Sequence, residues 1–349
     1  MNEKTRKWLK RAAINLLKIG ISAGLIAYLF IQARNNEAFD QLRDQPKQWG
    51  LLVTAWLCVL AGLSTTIVRW FFLVRALELP FRLRDAFRLG FLGYLLNFVS
   101  LGSVGGDLFK AVFIAHEQPG RRAEAVATVV VDRMIGLYAM FLVATAAVLI
   151  NGLWSAPDEG IRLVARATLF GAVVGAVGII VLLIPGFTSG ALSEALTGLP
   201  KVGPTIGRLI WAVRMYRRRM GTLVMAVLLS FVVHTFTTTG IFLIARGLPG
   251  DHPSYGQHFL VVPLSMVASA LPLPLMALGA FEAAIDYMYS HIPSAVVIPA
   301  GQGFVVAIGY RIITLINATV GAVYWAISRR QVAELMHEAE ENTPELSGA

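Results

Sequence analysis

The sequence predicts an all-α polytopic membrane protein with six full transmembrane helices and two re-entrant helical hairpins, or about eight spans by simple counting. Hydrophobic residues make up 56% of the 349 residues and charged residues only 15%, whereas soluble globular domains carry about 25% charged residues. The mean hydropathy is +0.66. Apolar runs recur that reach the roughly 20 residues needed to cross about 30 Å of hydrocarbon, and basic residues cluster beside alternate runs.

Six apolar runs are long enough to cross the membrane as single helices. The first run follows a basic N-terminus, a combination also typical of a signal peptide. An uncleaved helix is expected instead, because the residues near Ala33 match a cleavage site poorly. In chain order the predicted spans are Ile14–Gln32, Trp49–Phe72, Ala125–Ile150, Leu163–Ile184, Thr222–Ala245 and Val305–Ile327.

Two further apolar segments, 87–116 and 257–291, are interrupted by glycine, proline and charge. Irregular backbone at membrane depth is tolerated where it is buried in protein or lines a cavity. Each broken segment is therefore predicted to be a re-entrant hairpin, although a pair of crossing spans would give the same loop orientation. The interruptions are Gly102, Gly105, Gly106 and Asp107 in the first segment, and Pro263, Pro272, Pro274, Gly279 and Glu282 in the second.

Each broken segment lies between two full spans, and the two groups so formed have opposite predicted orientations. Inverted repeats with broken helices are typical of transporters. The sequence therefore predicts an inverted-repeat, transporter-like architecture, although no residue-by-residue repeat is evident in the chain.

Loop charges predict the orientation in the membrane. Basic residues cluster at the N-terminus, after the second and fourth spans and after the last one, while the other loops are balanced or acidic. Because Lys and Arg favour the cytoplasmic side, both termini are predicted to be cytoplasmic in a multi-pass protein of a bacterial inner membrane. The net charge of +9 then faces anionic lipid headgroups rather than nucleic acid. The single cysteine, Cys58, excludes a disulfide within the chain.

The chain is expected to form a single transmembrane domain over residues 1–330, followed by an acidic cytoplasmic tail over 331–349. The longest cytoplasmic loop, 187–221, contains amphipathic stretches that are expected to lie on the membrane surface. A tail of about 20 residues cannot build a core, so no appended soluble domain is expected.

Six charged residues lie at membrane depth, where each costs about 2.5–3.5 kcal/mol on insertion scales. Their signs cancel, which fits either a functional site or a set of structural ion pairs. Both interpretations stay open from the residues alone. The six are Asp107, Lys110, Asp132, Arg133, Glu282 and Arg311.

The stretch GSVGGDLFKA combines a flexible turn with a helix start. Gly105 and Gly106 permit close approach of backbone or ligand, and Asp107 is placed to cap the helix that follows. Lys110 lies three residues later on the same helix face. A helix N-terminus beside a lysine favours phosphate binding, whereas the nucleotide-binding P-loop pattern is absent. Asn97, upstream of the break, is a candidate for lining a polar cavity.

The stretch VVVDRMIGL places Asp132 and Arg133 next to each other on one span, with Gly136 three residues further. Adjacent residues point about 100° apart on a helix, so the two charges are expected to have different partners. Arg133 can pair bidentately with a phosphate or a carboxylate.

The stretch ALGAFEAAID is the counterpart in the second broken segment. Gly279 is expected to loosen the turn before Glu282, which is predicted to pair with Arg133 or Arg311, to carry a proton, or to bind a cation. Asp286 lies four residues after Glu282 and is expected to be solvated. Arg311 is the only charge in its span and is predicted to face the interior.

No catalytic signature is recognisable in the chain. The histidines lack metal-ligand spacing, and the patterns G-x-S-x-G and H-E-x-x-H are missing. The sequence therefore predicts no metal, no cofactor and no enzymatic activity.

The motifs SVGGDLFKA, VVVDRMIGL, ALGAFEAAI and GYRIITL resemble the transmembrane domain of lysylphosphatidylglycerol synthetases, which also occurs alone in flippase-like membrane proteins. The resemblance extends over roughly Leu16 to Ile327. It implies a lipid translocator that lacks the catalytic domain of the two-domain members. It also implies functional roles for Asp107, Arg133, Glu282 and Arg311. The family's usual arginine three residues after the aspartate is Lys110 here, which lacks the guanidinium fork.

A lipid flippase with a central polar cavity is therefore the expected function. The expected partners are membrane lipids, either an anionic phospholipid or a glycolipid, and the oligomeric state, homodimer included, stays open. Three alternatives remain at this point: a transporter of a small soluble solute, a membrane transferase acting on a lipid-linked substrate, and a structural assembly partner. The predicted headgroup-binding residues are Gly105, Gly106, Asp107, Lys110, Arg133, Glu282 and Arg311, supported by Asn97, Asp132, Gly136 and Gly279.

Overall fold

A computed structural model describes residues 38–99, 105–183, 214–270, 279–292 and 297–327, with isolated positions before residue 38 and between 198 and 211. Helices account for 85% of these residues, and none of the residues described lies in a strand. The all-α prediction is therefore confirmed for this part of the chain. Gly102, Pro272, Pro274, most of the 187–221 loop and the 331–349 tail lie outside the described residues.

Ten α-helices are described, and a short 3₁₀ turn, Leu153–Ser155, connects α5 and α6. Five of them, α2, α5, α6, α7 and α10, are long and apolar enough to cross a membrane. They match five of the six predicted spans, and the first predicted span lies largely outside the described residues. The helices are α1 Ala38–Asp44, α2 Trp49–Ala76, α3 Leu83–Val99, α4 Gly105–Glu117, α5 Arg122–Ile150, α6 Glu159–Leu183, α7 Met220–Gly247, α8 Tyr255–Ala270, α9 Ala280–His291 and α10 Gln302–Ile327.

Each predicted broken segment is a pair of shorter helices. In the first segment α3 packs against α4, and in the second α8 packs against α9. Residues 100–104 and 271–278, between the paired helices, lie outside the described part. Two contacting helices fit a hairpin, whereas the re-entrant course and the inverted repeat stay predictions.

Several predicted interruptions prove to lie inside helices. Helix α4 already begins at Gly105, so Gly106 and Asp107 occupy its first turn. Helix α8 continues through Pro263, where the proline costs one backbone hydrogen bond without ending the helix. Glu282 lies in the first turn of α9. These residues therefore belong to helices.

The described helices divide into two compact units, neither of which is a continuous segment. The first unit comprises Met1–Val59, Val143–Leu169 and Thr235–Ile313, and the second comprises Leu60–Leu142, Phe170–His234 and Thr314–Ala349.

The second unit has an aromatic-rich core at the first broken segment. Trp70 packs edge-on against Phe81, with ring centroids 5.2 Å apart. Tyr216 is fully buried, and its hydroxyl donates to the Leu73 carbonyl at 2.8 Å. Tyr216 belongs to the segment predicted to lie on the membrane surface, so burial of this side chain corrects that expectation at this residue.

Asp286 corrects a second expectation in the first unit. Predicted to be solvated, it is only 4% exposed. Its Oδ1 accepts hydrogen bonds from the backbone N–H groups of Gly301, at 2.9 Å, and Phe304, at 3.1 Å. Gly301 directly precedes α10 and Phe304 lies in its first turn, where the N–H groups have no partner within the helix. Asp286 therefore caps α10 from α9.

Replacing Asp286 with alanine is expected to lower the free energy of unfolding by about 1–3 kcal/mol, because two buried N–H donors lose their acceptor. Asparagine retains an acceptor oxygen and is expected to cost less. Thermal unfolding in detergent, followed by intrinsic fluorescence, measures both effects. Asp251→Ala is the control, since Asp251 is exposed, and equal melting temperatures for the two alanine variants would contradict the cap.

Asp158 caps α6 and is held by α9. Its Oδ1 accepts from the backbone N–H of Ile161, at 2.8 Å, and from the hydroxyl of Tyr287, at 2.7 Å. Asp158 precedes the α6 span. The hydrogen bond from the Ile161 N–H is the main cause that holds the pKa of the Asp158 carboxyl below its ordinary value, and the bond from the Tyr287 hydroxyl adds to it.

The lowered pKa predicts that Asp158 stabilises the fold only while it is ionised. Its contribution is complete above the unfolded pKa of about 4 and is lost as the pH falls through the lower folded pKa. We expect the difference in melting temperature between the wild type and Asp158→Asn to be constant from neutral pH to about pH 5 and then to shrink. Tyr287→Phe removes one of the two donors to Asp158, so its melting temperature as a function of pH should lie between those of the wild type and Asp158→Asn. A difference that stays constant down to pH 2 would contradict the cause assigned here.

Candidate functional site

The backbones of α3 and α4 are in direct contact. A Cβ atom on Gly106 would overlap the backbone carbonyl of Gly93, and a Cβ on Gly93 would lie 2.8 Å from Cε of Lys110. The Oδ1 of Asn97 accepts a hydrogen bond from the Gly106 N–H at 2.9 Å. Asn97 thus satisfies a donor at the start of α4, a role that the sequence had assigned to Asp107.

Asp107 instead joins two cations. Its Oδ1 lies 3.0 Å from Nζ of Lys110 and its Oδ2 lies 3.3 Å from Nη1 of Arg133 on α5. Lys110 also lies over the ring of Trp70, with Nζ 5.5 Å from the ring centroid. We call Asp107, Lys110 and Arg133 the Asp107 cluster.

The members of the Asp107 cluster differ in accessibility. The side chains of Lys110 and Asp107 are 14% and 18% exposed, whereas that of Arg133 is 46% exposed. Arg133 is thus the cation that an approaching anion reaches first. Lys110 is enclosed by Asp107, Trp70 and Gly93. It therefore adds positive charge to the site from a less accessible position.

Arg69 is a buried charge that the sequence analysis missed. It lies within the predicted span Trp49–Phe72 and is 5% exposed. Its Nε donates to Oδ1 of Asp132 at 2.8 Å, and its Nη1 donates to Oγ of Ser230 at 2.7 Å. An arginine inside an apolar run was the available signal, but its position near the end of the run made it resemble a flanking charge. We call Arg69, Asp132 and Ser230 the Arg69 cluster.

Asp132 and Arg133 have different partners, as the helical period predicts. Asp132 pairs with Arg69 on α2, and Arg133 pairs with Asp107 on α4. Gly136, one turn after Asp132, leaves space for the Arg69 guanidinium, because a Cβ there would lie 3.1 Å from Nη2.

Glu282 and Arg311 pair within the first unit, one of the partnerships predicted for them. Nε of Arg311 donates to Oε1 of Glu282 at 2.9 Å. The other carboxylate oxygen accepts from the Gly279 N–H at 2.9 Å. Glu282 is 2% exposed, so both of its oxygens are engaged out of contact with water.

Gly279 begins this arrangement with a backbone that other residues rarely adopt. Its φ angle is 99°, in the left-handed region that favours glycine. The same residue donates to Glu282, which fixes the carboxylate at the start of α9. Gly279 was expected to loosen the turn, whereas its N–H is held by the Glu282 carboxylate.

The same arrangement of charge occurs in both units. Asp107 is the third residue of α4 and Glu282 the third residue of α9. Each pairs with an arginine on the next long helix, α5 or α10. The sequence showed no repeat because the surrounding residues differ, whereas the position of the charges relative to the helices is shared.

Among the residues described, no group of three His, Cys, Asp or Glu side chains is arranged to hold a metal ion. Asp132, a carboxylate that a membrane transferase could use as an acid or base, is 7% exposed and paired with Arg69.

The chain matches the family model described as the lysylphosphatidylglycerol synthase TM region over residues 15–321. The protein belongs to this family. The match includes both charge arrangements and confirms the resemblance drawn from the motifs. None of the curated proteins compared with the chain matches it. The protein is a multi-pass membrane protein of a family related to lipid handling.

Proposed function

We propose that this protein is a flippase that moves a phospholipid or glycolipid across the bacterial inner membrane and binds the headgroup phosphate at the Asp107 cluster. The acyl chains stay in the bilayer during this movement. The proposal assigns transport to the protein, with no covalent chemistry.

The observation that carries the proposal is Arg133. It lies on a helix long and apolar enough to span a membrane, yet its side chain is 46% exposed. An arginine on a membrane-spanning helix costs insertion free energy, so its retention there indicates a function. Its planar guanidinium suits bidentate recognition of a phosphate.

Asp107 gives this site a way to release its ligand. Its Oδ2 lies 3.3 Å from Nη1 of Arg133. A phosphate that binds Arg133 competes with this carboxylate, and the carboxylate returns when the headgroup leaves. Competition of this kind keeps binding weak enough for turnover.

The test is movement of fluorescent phospholipids and glycolipids of different headgroup charge in liposomes that contain the purified protein. We expect headgroup-selective movement by the wild type and a loss of about tenfold or more in Asp107→Asn and Arg133→Gln. A charge-assisted hydrogen bond contributes about 1.5–3 kcal/mol, and about 1.4 kcal/mol corresponds to tenfold.

Arg43→Gln and Asp44→Asn are the matched controls. These residues form an ion pair at 2.8 Å in which the side chains are 75% and 60% exposed, so neutralising them should leave movement unchanged. Wild-type rates in both Asp107→Asn and Arg133→Gln would exclude the Asp107 cluster as the headgroup site.

A further inference from the structure

Arg69 makes three hydrogen bonds that join α2, α5 and α7 within the second unit. Its Nε and Nη2 donate to the side-chain oxygen and the backbone carbonyl of Asp132, at 2.8 and 3.2 Å, and its Nη1 donates to Ser230 at 2.7 Å. Ser230 in turn donates to the Ala226 carbonyl at 2.7 Å. A single buried guanidinium therefore holds three of the candidate spans.

The geometry of these bonds restricts the rotation of α5. One bond reaches the Asp132 side chain and another reaches its backbone, so the guanidinium plane is attached to α5 at two points. Gly136 lets the same plane lie close against the next turn. Lysine carries a similar charge but lacks the planar fork, so it cannot hold both oxygens in the same way.

Arg133 follows Asp132 directly, and its side chain points about 100° away around α5. With Asp132 held against Arg69, Arg133 is directed to α4, where its Nη1 lies 3.3 Å from Oδ2 of Asp107. A rotation of α5 that loosened the first contact would also move the second.

We infer that Arg69 is a positioning residue for the headgroup site, because its hold on Asp132 sets the orientation from which Arg133 meets Asp107 and the phosphate. The inference rests on the proposed function. In a purely structural role, Arg69 would only neutralise the buried Asp132, and any loss of activity would follow the loss of folded protein.

A measurement independent of transport tests the orientation itself. Spin labels are placed at Leu108 on α4 and Leu137 on α5, in a Cys58→Ser background; these side chains are 48% and 39% exposed. Leu137 lies one turn from Arg133 on the same face of α5, and Leu108 adjoins Asp107. The distance distribution between the labels, measured by pulsed electron paramagnetic resonance, is expected to shift or broaden in Arg69→Lys.

Ser230→Ala is the matched control. It removes one buried hydrogen bond from Arg69 but leaves both bonds to Asp132 intact, so it should lower thermal stability without changing the distance distribution. An unchanged distribution in Arg69→Lys, or an equal change in Ser230→Ala, would overturn the inference. If Arg69→Lys does not fold, Asp132→Asn replaces it, since this variant weakens the Arg69 contact while it keeps the backbone acceptor.

A double-mutant cycle in liposomes connects the orientation to transport, with the fluorescent lipid that the wild type moves fastest as the probe. We expect Arg69→Lys to slow movement about tenfold in the wild type and less than about twofold in an Arg133→Lys background, because residues that act through one another are not additive. If Arg69→Lys slowed lipid movement by the same factor in the wild type and in the Arg133→Lys background, Arg69 would have a structural role only. A wild type that moves no lipid would refute the proposed function, and the label distances would still decide the role of Arg69.

Discussion

Gly106→Ala is expected to separate α3 from α4 and to destabilise the packing between these two helices. The added Cβ would overlap the Gly93 carbonyl and lie 2.8 Å from Oδ1 of Asn97. The first of these neighbours is backbone and cannot move aside as the end of a side chain can. We expect the free energy of unfolding to fall by about 3 kcal/mol or more, at or above the upper end for overpacked sites.

The loss should extend to the charge cluster, because Lys110 and Asp107 lie on the displaced helix. Thermal unfolding and lipid movement are measured on the same preparation, and both should decline. Gly178→Ala is the control, since no atom lies within 4 Å of a Cβ built there; alanine in that helix should be neutral or stabilise it by about 0.5–1 kcal/mol. Equal stability of the two variants would show that the glycine contact is not required.

Glu282→Gln is the second substitution expected to have a large effect. The new amide can still accept from the Gly279 N–H through its oxygen, but it then presents an NH₂ group to Arg311, which also carries only donors. Removal of one partner from a buried pair costs about 3–5 kcal/mol. The partial exposure of Arg311, 26% of its side chain, places the expected loss at the lower end of that range.

Glu159→Gln provides the control for this change. Glu159 also lies in the first turn of a helix, α6, but it is exposed. Its substitution should cost no more than about 1 kcal/mol through the helix dipole. If Glu282 also has the role proposed for Asp107, lipid movement should fall in Glu282→Gln beyond what the loss of folded protein explains. Equal melting temperatures for the two variants would contradict the buried pair.

The correspondence between Asp107–Arg133 and Glu282–Arg311 bears on the predicted repeat. Loop charge and the order of broken segments predicted two related groups of helices. The structure adds a shared position for the carboxylate, which is the third residue of α4 and of α9, and for its arginine partner. The Arg69 cluster belongs to the second unit, where Asp132 precedes Arg133. The corresponding residue before Arg311 is Tyr310, so the two arrangements are not held in the same way.

Asp286 and Asp107 illustrate where local reasoning about a carboxylate is wrong. Asp286 was expected to be solvated near the membrane surface, and Asp107 was expected to cap its own helix. Asp286 is instead covered by the chain at Gly301–Phe304, which supplies backbone donors. Asp107 is drawn to Lys110 and Arg133, while Asn97 takes the N–H of Gly106.

The sequence by itself determined the membrane class, five of the spans, the family and the different directions of Asp132 and Arg133. These follow from hydropathy, from motif spacing and from the helical period, all of which are properties of the local chain. Only the tertiary structure decided that Arg69 holds Asp132, that Gly93 faces Gly106 and that Asp286 caps α10. Such pairings depend on which helices pack together, because a buried charge or donor is satisfied by whichever group the fold brings to it.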